Sequence, residues 1–277
     1  MSTSILYDEP GPRARVRYRI VGIATIALIA GFVAFTLYRF SETGQFEPLK
    51  WKQFEYEAIQ LQLLNGLLAT LKAAGTAAVL ALVFGGVFAS ARISDAWIFR
   101  APATFLVELF RAIPLLILIF FGYYVPLQYG WHISNFWALV AGLTVYNGSV
   151  LAEIIRAGIA AIPRGQSEAA YALGLQKGQV VRLILLPQAI RSMLPSIIGQ
   201  LVVLLKDTAL GFIITYPELL YVGKQMGSRL AFDLPYVPTY LVVAAIYIGM
   251  CAIMSAFANW LAKRGGEKRP PAPAPRP

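Results

Sequence analysis

The chain has 277 residues, of which 58% are hydrophobic and 14% charged, and it carries a formal net charge of +10. Water-soluble domains run at about 45–50% apolar and about 25% charged, and a chain of this length cannot hide so many apolar blocks from water. A bilayer acts as the solvent for those faces, and about 20 apolar residues per span leave room for five or six spans and for no large extra domain.

In chain order, residues 1–19 form a polar N-terminal extension ending in Arg13, Arg15, Arg17 and Arg19. A secretory leader would follow such a region with about 7–15 apolar residues and a small-residue cleavage site. The apolar block at 20–37 is longer, and Phe35-Thr36-Leu37-Tyr38 is a poor cleavage site, so the block reads as an uncleaved first span. Residues 38–60 are mixed and acidic. The pattern predicts a second span within 63–89, a third at 104–125 and a fourth at 136–157. A polar stretch at 158–193 follows. A fifth span is predicted at 194–215, opened by Pro195 in its first turn, where a missing N–H costs nothing. The sixth is at 237–261. The 20–262 region is thus one membrane domain, and 263–277 is a Lys/Arg/Pro-rich tail with the composition of a disordered segment. No internal repeat is visible, so symmetry has to come from a second subunit.

Orientation follows from the placement of Lys and Arg. With residue 1 in the cytoplasm, six spans return the C-terminus there. The cytoplasmic side then holds the four N-terminal arginines, Arg92, Arg100, Arg111, Arg156, Arg164, Lys177, Arg182, Arg191 and the basic tail. The outer side holds Arg39, Lys50, Lys52, Lys224 and Arg229. The same asymmetry accounts for the positive charge, because the basic residues sit beside apolar blocks, and it argues against nucleic acid as a partner. One cysteine, Cys251, inside an apolar block, excludes an intrachain disulfide and a Cys-built metal cage, and the single His132 argues against a His-built one. His132 beside Trp131 and Trp137 fits an outer aromatic belt. No cofactor site, catalytic triad or paired-carboxylate site is visible.

The loop at 158–193 is not linker-like. From 166 to 186 it has helical character, with Ala169, Ala170, Leu173 and Gly174 forming a small-residue face and Lys177, Arg182 and Arg191 supplying charge. A short helix of this kind at the membrane surface suits a groove on a partner protein. Small side chains at Ala169 and Ala170 permit close approach, Gly174 permits a turn, and Glu168 can cap or pair at the joint.

The loop reads Glu168-Ala169-Ala170, three residues to Gly174, then nine to Ile184-Leu185-Leu186-Pro187. This resembles the EAA motif of bacterial ATP-binding-cassette importer permeases, EAA-x3-G-x9-I-x-L-P, with every fixed position matched. The flanks Glu153-Ile154-Ile155-Arg156-Ala157-Gly158 and Leu205-Lys206-Asp207-Thr208-Ala209-Leu210 resemble the polar amino-acid subfamily. So does Glu108-Leu109-Phe110-Arg111-Ala112-Ile113-Pro114-Leu115-Leu116, where Ala112-Ile113 replaces the usual Gly-Thr. The resemblance covers about residues 60–262, and the N-terminal extension and Pro-rich tail look most like actinobacterial glutamate-uptake permeases. It implies an all-α type I importer permease fold of about six transmembrane helices with a cytoplasmic coupling helix. It also implies a second permease subunit, two cytoplasmic ATPases and an extracytoplasmic amino-acid-binding protein, in a bacterial cell membrane. The chain has no G-x4-GK[ST] phosphate loop, so ATP hydrolysis is expected elsewhere. Glu168, Ala169, Ala170, Leu173, Gly174 and Pro187 are the expected ATPase-coupling residues.

Charged residues inside spans are the candidates for the substrate path, because ionisable groups at that depth are expensive and face a cavity or a partner. Lys206 and Asp207 lie in the fifth span, and Glu153 and Arg156 are three apart on the fourth. Arg156 offers a planar fork for a carboxylate and Asp207 an acceptor for an ammonium. The same residues also fit a structural ion pair, or side chains reaching to the interface. Two competing functions differ in what they require. An ion-coupled carrier often shows inverted repeats and broken helices at midplane, and a membrane-embedded lipid-modifying enzyme needs a nucleophile, base or metal cluster at one face.

Overall fold

A computed structural model describes residues 11–264, and among them the regular elements are helices. Five are long and apolar enough to cross a bilayer, or six if one sharply bent pair counts as a single broken span. Residues 1–10, and the tail from 265 to 277, lie outside the described residues.

Helix α1 (Pro12–Glu42) opens with proline at its first position, where the ring fits the helix, and it takes in the four arginines expected to precede the span. None of its residues is buried. An apolar helix with no protein neighbour to hide against is stable where lipid surrounds it. The short α2 (Pro48–Lys52) follows, anchored at the far end of the chain: Lys50 is buried, donates to the carbonyl of Asp233 at 2.7 Å and pairs with its carboxylate. Gln53 donates to Thr239 at 2.9 Å.

Helix α3 (Glu57–Ile93) is the backbone of the fold. Its buried residues include Ala73, Ala77, Ala81, Gly85 and Ala89, four apart on one face. They pack on α6 (Asn135–Ala160), whose start is capped by Ser134 accepting from the Trp137 N–H. Lipid offers no hydrophobic force between helices, so close backbone approach across small residues takes its place. The approach is tight: a Cβ on Gly85 would lie 2.8 Å from Leu151 Cβ, and one on Gly148 would lie 2.7 Å from the Phe84 ring.

The third span is not one helix. It is α4 (Trp97–Ala112) and α5 (Leu115–Gln128), bent by 98°. Ile113 sits in extended backbone (φ −84°, ψ 128°) because the Pro114 ring excludes the helical region for its predecessor. The two arms are about 24 and 21 Å long, each short of the roughly 30 Å hydrocarbon core.

The loop and fifth span also differ from expectation. Helix α7 (Arg164–Ala172) ends at Gly174, whose φ of +79° closes the helix. The Gly174 N–H bonds Tyr171 carbonyl and the Leu175 N–H bonds Ala170 carbonyl, the paired C-terminal cap that a left-handed glycine allows. The expected single helix over 166–186 is therefore two pieces. From Lys177 the chain stays helical to Ile214, so the helix that carries the fifth span begins at 177, ahead of the expected 194, and Pro195 lies inside it. The run comprises α8 (Lys177–Gln179), one π turn over Val180–Leu185, α9 (Leu186–Asp207) and a 3-10 stretch over Thr208–Ile214. The π turn precedes Pro187, which lacks an N–H, so the wider turn re-pairs Leu186 N–H with Val181 carbonyl. Helix α10 (Leu219–Gly227) returns partway, and α11 (Tyr236–Arg264) completes the set.

Candidate functional site

At the loop, the structure presents an open face. Glu168, Ala169, Tyr171 and Leu173 are exposed, Leu173 to 82%, whereas Ala170 is buried toward the π turn. Glu168 makes no hydrogen bond or ion pair among the described residues, so the capping role expected of it is not seen. Gly174 supplies the turn and has open space around it. Pro187 is exposed and ends the π turn.

Beside the loop, the ends of three helices are tied by charge. Arg92 of α3, with only 7% of its side chain exposed, reaches Glu108 of α4 at 3.0 Å and Glu153 of α6 at 2.8 Å. Arg156 lays its fork on the same Glu153, with Nε at 3.0 Å and a terminal nitrogen at 2.6 Å. Arg111 pairs with Glu108 at 3.3 Å. Three cations against two anions leave this cluster one positive charge in excess. The charge-assisted, two-pronged contact at Glu153 fixes Arg156 in direction.

Deeper in the membrane lies a second polar group. Asn147 of α6 lies near the Asp207 side chain, accepts from Gln200 at 2.7 Å and donates to Leu143 carbonyl at 3.1 Å. Lys206 turns the other way and lines a groove of about 680 Å³ with Tyr240, Tyr247, Cys251 and Ser255. It makes no ion pair among the described residues. The structure brings Glu153 to Arg156 and keeps Lys206 on the element of Asp207, but it does not join Arg156 to Asp207. Asn147 marks the level of Asp207 on α6, and nine residues of helix separate Asn147 from Arg156, roughly 13 Å along the axis.

Glu218 escaped the sequence reading. It is wholly buried, caps α10 by accepting from Leu220 N–H at 2.8 Å and Tyr221 N–H at 2.7 Å, and accepts from the Tyr247 hydroxyl at 2.8 Å. An acidic residue just ahead of a short apolar run is an N-cap signal. Asn147 was also passed over, although a polar side chain inside a span is a signal in itself.

Known proteins resemble this chain over most of its length. The sequence model of a family described as "binding-protein-dependent transport system inner membrane component" matches residues 81–265. The glutamate transport system permease protein GluD of Corynebacterium glutamicum is 43% identical over 235 residues, covering 83% of this chain and 85% of that one. The glutamate/aspartate import permease protein GltK of Escherichia coli O157:H7 is 35% identical, covering 73% of this chain and 92% of its own. A crystal structure of an amino acid ABC transporter with histidines superposes with a TM-score of 0.70 at 30% identity, over 74% of this chain and 94% of that one.

Proposed function

Since this chain belongs to the family of binding-protein-dependent transport system inner membrane components, we propose that it carries glutamate, or another polar amino acid close to it, inward across the membrane. It is a multi-pass permease subunit of an ATP-driven importer and not itself an enzyme. ATP is hydrolysed on separate ATPase subunits, and a substrate-binding protein delivers the cargo. The observation that carries the substrate reading is the extent of likeness to the glutamate permease of C. glutamicum, 43% over most of both chains.

The finer parts of the reading are ours. A second permease subunit, identical or related, completes the pathway. The loop end is cytoplasmic, as the Lys/Arg asymmetry supports. Asp207 receives the substrate ammonium, and Lys206, the residue before it and turned about 100° around the helix into the neighbouring groove, meets the side-chain carboxylate of an acidic substrate as it passes. An amino acid crossing at that depth loses water from both charges, and only opposite charge or aligned dipoles compensate. Glu153 and Arg156 meet the substrate later, nearer the cytoplasm, where the excess positive charge of their cluster favours an anion. Glu168, Ala169, Ala170, Leu173, Gly174 and Pro187 form the ATPase-coupling surface, which the exposed face of α7 supports.

The test is uptake of labelled glutamate, glutamine and arginine by the full complex in vesicles. Asp207→Ala and Arg156→Ala are expected to abolish uptake while the complex assembles and hydrolyses ATP. Losing one charged contact where its partner stays buried costs on the order of 2–5 kcal/mol. Parental transport by both variants would place the site elsewhere. Lys206→Gln is expected to impair glutamate more than glutamine.

A further inference from the structure

We propose that the corner between α3 and α4 is a second output of the coupling loop, with Lys177 carrying loop motion to the corner and Arg92 carrying it on to α4 and α6. The inference rests on the coupling reading of the loop given above. Lys177 lies on the loop but bonds only to the corner: its ammonium donates to the carbonyl of Ile93 at 3.3 Å and pairs with the Asp95 carboxylate. Ile93 ends α3, where carbonyls lack helical partners and a cation is favoured by the helix dipole. Among the described residues, the Lys177 side chain makes the only hydrogen bonds and ion pair between 164–186 and residues 57–112.

Lys177 is also held firmly on the loop side. The left-handed turn at Gly174 sets the entry, and Gln176 and Gln179 cap each other reciprocally around Lys177. Behind the bridge there is space instead of packing. A cavity of about 1080 Å³ lies between α3, α6, α11 and the first half of the long fifth helix, with Asp95 and Lys177 in its wall. The π turn over Val180–Leu185 adjoins it. The loop therefore meets the corner through a polar strut across a gap and not through a packed face.

On the corner itself, Arg92 sits one residue before Ile93. Its buried guanidinium holds Glu108 of α4 and Glu153 of α6 together. Separating both partners would strand the buried Arg92 charge, so the three helix ends are coupled through it. Helix α4 passes that motion to the bent arm α5, whose Leu115 and Ile119 are seated in the core. Lys177 and Arg92 are thus positioning residues and not substrate ligands.

The Lys177–Asp95 pair is exposed, with 44% and 79% of the two side chains accessible, so it contributes little to stability and can be altered without unfolding the chain. The test uses the full complex in vesicles and reads labelled substrate imported per ATP hydrolysed. Asp95→Lys and Lys177→Asp are each expected to lower that ratio at least tenfold with ATPase subunits still co-purifying. The double reversal is expected to recover it to within about threefold of the parent. Single reversals with a parental ratio, or a double reversal no better than the singles, overturn the proposal. If a reversal does not reach the membrane, Asp95→Asn and Lys177→Gln replace it, with the same loss in support and a parental ratio against. Gly174→Asp serves as the control for the underlying reading. If Gly174→Asp transports normally, the coupling role of the loop has failed and this inference with it. If Gly174→Asp fails while the Lys177 and Asp95 variants keep the parental ratio, only this inference falls.

Discussion

At the scale of single residues, Gly174 and Glu218 do opposite kinds of work. Gly174 serves by what it lacks. At φ +79° a side chain costs about 1–2 kcal/mol in backbone strain, although nothing stands within 4 Å of where its Cβ would be. Gly174→Ala is expected to lose a modest part of loop stability. Gly174→Asp adds charge at the proposed contact, and it is expected to insert normally but to lose uptake and retain less ATPase on purification. Normal uptake with normal ATPase stimulation would remove the loop from the coupling role. Glu218 serves by what it accepts. Glu218→Ala leaves two backbone N–H groups and the Tyr247 hydroxyl short of an acceptor, at about 1–3 kcal/mol for each buried group left unsatisfied. Glu218→Gln keeps one acceptor oxygen. Thermal unfolding in detergent should rank parent above Gln above Ala, and equal midpoints would mean that α10 is held by packing alone.

Among elements, the α3–α6 seam is the most constrained. Gly85 faces Leu151 and the Gly148 carbonyl at distances a Cβ cannot tolerate, while its neighbour Gly86 faces open space. Gly85→Ala is expected to lower the unfolding midpoint, since overpacking a tight contact costs about 1–3 kcal/mol. Gly86→Ala is expected to leave it unchanged or raise it, because alanine favours helix over glycine by about 1 kcal/mol. A reversed order would show that the seam can open without penalty. The contrast explains what could be read from the chain alone. Span number and rough position follow from apolar length, and the loop from its spacing of fixed residues. Breaks within apolar runs were not legible. Pro114 splits the third span and Pro195 sits unbroken inside the fifth, yet both are prolines in apolar surroundings. The difference lies in tertiary support: Leu115 and Ile119 anchor the bent arm in the core, whereas a helix can absorb a missing N–H when its neighbours hold it straight. The site residues were legible as charges in spans, and so was the pairing of Glu153 with Arg156 three residues on; the ties from Arg92 to Glu108 and Glu153 were not, because they depend on which helix ends meet.

For the whole molecule, the testable statement is topology. Single cysteines placed at Ser2, Leu173, Tyr129 and Leu230 in a Cys251→Ser background report the side on which each residue lies. Leu173, Tyr129 and Leu230 are at least 77% exposed. An impermeant thiol reagent added to intact cells is expected to label the cysteines at 129 and 230 only. Labelling at 173 from outside would invert the orientation and overturn the proposed coupling surface with it.

The bend at Pro114 bears on how the chain is built during synthesis. Helix α1 needs no neighbour, so it can enter the bilayer as soon as it leaves the ribosome. Neither α4 nor α5 is long enough to cross unaided, and their open backbone corner is tolerable only where protein shelters it. Those arms must wait at the membrane until α6 has been made, 32 residues after α5 ends. Assembly therefore has a mandatory pause in its middle, and a truncation that ends before α6 should strand the third span half-inserted and hand it to quality control, while α1 and α3 remain integrated.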